Sequence, residues 1–114
     1  LWNAEYKRLF NKDIDNDSNG CLQDVHWYAG LFGYFPTYSL GALTAAQLAS
    51  QLRTDITNLD TQIEKGNFKE LLQWLKTNVH SKASLYSSSD ILQQVTNSKL
   101  NVKYFEDYIK NRYL

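Results

Sequence analysis

The chain has 114 residues and balanced charge, with 12 Lys plus Arg against 12 Asp plus Glu. That length suits one modest domain, and zero net charge excludes the basic footprint of a nucleic-acid binder. No apolar run approaches the ~18 residues of a membrane span, so no membrane partner is expected. The single cysteine, Cys21, cannot close an internal disulfide, which fits a reducing compartment and a cytoplasmic setting. The chain starts at Leu1, contains no methionine and has no signal-peptide pattern; it reads as a fragment of something longer.

Residues 1–11 carry Leu1, Trp2, Tyr6, Leu9 and Phe10, a helical stripe. Residues 12–20, "KDIDNDSNG", are turn formers throughout. From Asp24 to Tyr38 the chain reads "DVHWYAGLFGYFPTY", aromatics interleaved with Gly30 and Gly33. Such a mixture predicts a shaped, partly mobile loop that meets a ligand. Pro36 is favoured at a first helical position, where its missing N–H is not needed. The Ala- and Leu-rich segment after it predicts helices to about residue 65, stopped by Gly66.

Asn67 followed by Glu70 resembles a capping box. The helix it opens has Phe68, Leu71, Leu72, Leu75 and Val79 on its expected apolar face. "YSSSD" predicts a short loop capping a helix with Ile91, Leu92 and Val95. A last helix bears Val102, Phe105, Tyr108, Ile109 and Tyr113. No segment alternates with period two, so the fold class is all-α.

Two stretches invite a chemical reading. Asp15, Asp17, Asn19, Gly20 and Leu22 match the first half of an EF-hand loop. His26 then stands where the closing bidentate Glu belongs, and an imidazole cannot give Ca²⁺ two hard oxygens. The plainer reading is an acidic turn whose Asx side chains cap their own backbone.

The second stretch centres on His26, which can exchange a proton near neutral pH. Tyr38 falls near the third position of the helix begun by Pro36, where the dipole's positive end and unpaired N–H groups favour negative charge. His26 and Tyr38 are therefore candidates to polarise a carbonyl and stabilise an oxyanion. The competing reading is a hydrogen-bonded core histidine among aromatics. His80, at the end of a predicted helix, complements the C-terminal dipole. Neither HExxH nor CxxC occurs, so no complete zinc site is encoded.

"GCLQDVHW", residues 20–27, fits the pattern GxxQDxHW at every fixed position. The chain thereby resembles the Taq-type thermostable metallocarboxypeptidases. "GLFGYFPTYSLGALTAAQL" and "GNFKELLQWLKTNVHSKASLY" are similar to the segments that follow in those enzymes. The resemblance implies that residues 1–114 form a single helical fragment, the C-terminal portion of a larger, mostly helical gluzincin-type metallopeptidase. The zinc-binding helix and catalytic Glu of such an enzyme lie upstream of this motif and are absent here.

The implied activity is release of C-terminal amino acids from peptides, with a divalent metal, zinc first, held outside this chain. The implied catalytic residues are His26, the motif histidine, and Tyr38, which follows it at the spacing of an oxyanion-stabilising tyrosine in related gluzincins. Tyr34, Gln23 and Asp24 are the implied substrate contacts; Gln23 shares a helical turn with His26 in this reading, and Asp24 orients a neighbour. Expected partners are a peptide substrate, the upstream part of the same polypeptide and a second copy in a homodimer. The fragment alone is expected to be inactive. The alternative is a non-catalytic helical protein-interaction domain.

Overall fold

The computed structural model describes all 114 residues and contains helices, turns and no strand. The chain divides into two compact units, Leu1–Thr37 and Tyr38–Leu114.

The first unit opens with α1 (Trp2–Phe10). Asn11 ends it in the left-handed region, its N–H donating to the Lys7 carbonyl. Two single 3-10 turns follow, Asp17–Asn19 and Cys21–Gln23. The Asn16 side chain accepts the Asn19 N–H at 3.0 Å, so the acidic segment folds as an Asx-capped turn. Gly20 is buried there, and a Cβ added to it would lie 2.9 Å from the Ile14 side chain.

A short helix, α2 (Val25–Tyr28), then occupies the start of what the sequence predicted as a loop. Asp24 caps its start. At its end the Leu31 N–H donates to the His26 carbonyl and the Gly30 N–H to that of Trp27. Those paired bonds form a Schellman motif, which requires positive φ at Gly30, here 69°. The glycine is thus a helix stop: residues 25–28 of the expected loop are helical, and residues 29–35 run as turns into the next helix.

Helix α3 (Pro36–Asp55) starts at the expected proline. In the second unit it is followed by α4 (Leu59–Glu64), α5 (Lys69–Asn78), α6 (Ser88–Thr96) and α7 (Lys103–Tyr113). The stop at Gly66 is a second Schellman motif, with Gly66 N–H on Ile63 and Asn67 N–H on Gln62. That use of the Asn67 N–H precludes the expected capping box. Glu70 instead accepts from the Gln62 side chain at 2.9 Å. Ser87 caps α6 as expected, accepting the Asp90 N–H.

The core of the second unit is Leu52, Ile56, Leu59 and Trp74, flanked by Leu48, Leu71, Leu75, Val79 and Val95. The buried face of α5 therefore runs through Leu71, Trp74, Leu75 and Val79, while Phe68 and Leu72 face solvent at 47% and 58% exposure. Leu72 is rotated about 100° from Leu71, too far to share its face. Trp74 can be buried because its Nε1–H donates to Asp55 Oδ2 at 2.7 Å. No helix is long and apolar enough to cross a membrane.

Candidate functional site

The motif residues sit where the 3-10 turns meet α2. Asp24 has extended backbone, and its Oδ1 accepts both the His26 N–H at 2.7 Å and the His26 ring at Nδ1, at 2.5 Å. One carboxylate oxygen therefore caps the helix and grips the imidazole. Burial pushes the Asp24 carboxyl up, but the backbone bond, the ring bond and the charge of His26 together hold it below its ordinary value. An ionised carboxylate only accepts, so Nδ1 is the nitrogen that donates its ring hydrogen to Asp24. Both side chains are largely shielded, 14% exposed for His26 and 20% for Asp24.

Aromatic rings fix the imidazole plane. His26 stacks on Tyr34 with centroids 5.7 Å apart, and Phe35 lies 4.7 Å away on a tilted plane. Trp27 packs against Phe32 and Phe35 and meets Trp2 edge-on at 6.3 Å. Its Nε1–H donates to the Cys21 carbonyl at 2.7 Å, tying α2 to the preceding turn. Asp24, His26 and Tyr34 are thus brought together.

Gln23 is not on the same helical turn as His26, because extended Asp24 separates the two elements. Its side-chain amide donates to the Ser18 carbonyl and so points back along the chain. Tyr38 belongs to the second unit as the third residue of α3 and is 56% exposed. His80 opens a 3-10 turn directly after α5. Two clefts of the second unit, about 720 and 870 Å³, contain none of the motif residues.

Two structural features escaped the sequence. Phe35 touches His26, yet nothing in a run of aromatics singles it out. Gln47 is the fully buried polar side chain of α3; its signal was a glutamine among small apolar residues in "TAAQLAS".

No three His, Cys, Asp or Glu side chains converge to hold a metal ion. The Asp24–His26 pair is an imidazole oriented by a carboxylate, set in an all-α frame of the kind helical metallopeptidases use. The chain falls in that class. The model of the family described as Carboxypeptidase Taq (M32) metallopeptidase matches residues 1–113, and the chain belongs to that family. It is 41% identical to Carboxypeptidase 1 of Bacillus subtilis, over 99% of its own length and 23% of that protein's. It is 34% identical to Thermostable carboxypeptidase 1 of Pyrococcus furiosus, over 100% of itself and 23% of the relative. Among solved structures, Trypanosoma cruzi metallocarboxypeptidase 1 superposes with a TM-score of 0.92 at 38% identity, covering 98% of this chain and 24% of that one. The chain therefore spans about a quarter of the length of the proteins it matches.

Proposed function

We propose that this chain is the C-terminal part of a metallocarboxypeptidase that removes C-terminal amino acids from peptides in the cytoplasm. The observation that carries the reading is the Asp24–His26 pair inside a motif matched by the family. The metal, zinc first, is held by residues outside these 114 and would activate the attacking water. The residues present do not fit a metal site, so their part is with substrate and charge.

In this reading His26, oriented by Asp24, donates a hydrogen bond or proton as negative charge develops on the scissile carbonyl. Tyr38 donates its phenolic hydrogen to the oxyanion, helped by its place in the first turn of α3. Tyr34 holds the imidazole plane and contacts the peptide. Gln23 serves the substrate by bracing the turn that precedes Asp24. The 114-residue chain alone binds no catalytic metal and has no peptidase activity; homodimerisation belongs to the whole enzyme.

The test is Tyr38→Phe in the longer enzyme. Losing one oxyanion donor costs about 10²–10³ in kcat, roughly 2.7–4 kcal/mol. KM should stay nearly constant, because the bond forms only in the transition state. His26→Ala should fall by a similar factor. A tyrosine that merely packs would cost about 1 kcal/mol of stability and leave turnover intact. Normal turnover by both folded variants would remove His26 and Tyr38 from the mechanism and leave the aromatic segment as packing.

A further inference from the structure

Helix α3 carries Tyr38 near its start, but that end of the helix has little of its own core. The buried residues of α3 are Gln47 and Leu52, and Gln47 is the nearer to Tyr38. Nine residues separate them, about 13 Å along the helix axis. Gln47 is therefore the fully buried anchor of α3 nearest to the segment that presents Tyr38.

Gln47 is 0% exposed and fully used. Its Nε2 donates to Thr96 Oγ1 at 2.9 Å, to the Lys99 carbonyl at 3.1 Å and, more weakly, to the Ser98 carbonyl at 3.3 Å. Its Oε1 accepts the Asn101 N–H at 2.9 Å. Thr96 gives its own hydroxyl hydrogen to the Leu92 carbonyl, so it meets Gln47 as an acceptor. The amide thus stands in for a peptide group beside the link between α6 and α7. That link turns left-handed at Asn97 and leaves backbone groups that no helix satisfies. The Asn101 side chain in turn accepts the N–H of Lys103, the first residue of α7, at 2.9 Å.

We propose that Gln47 is a positioning residue for the reaction: its amide clamp on residues 96–101 sets the register of α3 and so the placement of the Tyr38 hydroxyl. The inference rests on the role proposed above for Tyr38. A hydrophobic side chain could fill the volume, but it offers no directional bonds and would let the helix turn or slide. A shift of 1 Å at a reacting group can cost about 10²-fold in rate.

The experiment is a double-mutant cycle in the longer enzyme with Gln47→Leu and Tyr38→Phe. Gln47→Leu is expected to lower kcat about 10- to 100-fold with KM within about twofold. Added to Tyr38→Phe, it should cost almost nothing more, since no phenol remains to be misplaced. Thr96→Val, which removes one acceptor and keeps the others, is the milder variant should Gln47→Leu fail to fold; it should show a smaller loss with the same non-additivity. Ile56→Val, which disturbs the core but not the clamp, should keep wild-type kcat. In metal-free protein, amide exchange at Asn101 should accelerate in Gln47→Leu. Full kcat in folded Gln47→Leu or Thr96→Val, additive losses, or unchanged exchange at Asn101 would each overturn the proposal. Full activity in Tyr38→Phe alone would instead sink the role of Tyr38, a distinct failure visible in the single variant.

Discussion

The two units hold themselves together by different means. The second is built on a conventional core, with Leu52, Ile56, Leu59 and Trp74 each at most 9% exposed. In the first, neither α1 nor α2 contributes a buried residue, and Leu9, Phe10, Val25, Tyr28 and Phe32 are more than 60% exposed. Its order comes from directional contacts: a carboxylate on an imidazole, an indole on a carbonyl, rings against rings. Hydrophobic burial is non-directional and tolerates exchange of like side chains, whereas hydrogen bonds specify an orientation. The motif lies in the unit whose contacts within these 114 residues are hydrogen bonds and ring contacts.

That contrast can be broken most sharply at Trp74. Trp74→Ala removes a core side chain and leaves Asp55 without the indole donor. Substitutions of this kind cost about 3–5 kcal/mol. Equilibrium urea unfolding of the chain should show that loss, and a midpoint shift worth less than about 1 kcal/mol would mean the core does not govern the second unit.

A smaller effect is expected at Ala83, in the link between α5 and α6. Its φ of 47° and ψ of −127° lie where an L side chain is strained. Ala83→Gly should stabilise by about 1 kcal/mol, the strain relieved outweighing the added chain entropy. A lower melting temperature for Ala83→Gly would show that the backbone is not held there. Leu72→Ala, on the solvent face of α5, is the null comparison and should change stability by less than about 0.5 kcal/mol.

The subtlest test belongs to the first unit. The Asp24 carboxyl titrates below its ordinary value in the folded chain, so its contribution is complete above the unfolded carboxylate range. It is lost as pH falls through the lowered folded value. Asp24→Asn should therefore reduce stability near neutral pH, and its curve should converge on wild type only as acid takes the pH through and below the lowered Asp24 value. Parallel curves down to pH 2 would show that the Asp24–His26 contact contributes nothing to folding.

How far these features could be read in advance depends on their range. The helix from Pro36, the stop at Gly66 and the cap at Ser87 follow from side chains within a few residues of the backbone groups they serve. The Asp24–His26 grip is also local, separated by two residues, and the motif pointed to both. The failures were competitions. Asn67 had two uses for its N–H, and the Schellman bond to Gln62 took it from the capping box. The stretch after Asp24 held enough aromatics to look like a loop, yet Asp24 and Gly30 were sufficient to close a helical turn between them.

By itself, the sequence determined the all-α class, the motif, the family resemblance and most helix ends, because capping and periodicity act within one or two turns of chain. Only the tertiary structure decided which face of α5 is buried, since Leu71 and Leu72 are equally apolar and the choice lies with Asp55 receiving Trp74. It alone decided that Gln47 is a clamp, because its partners lie 49 to 54 residues away. A buried amide is acceptable only where acceptors and donors already wait for it, and those are furnished by folding.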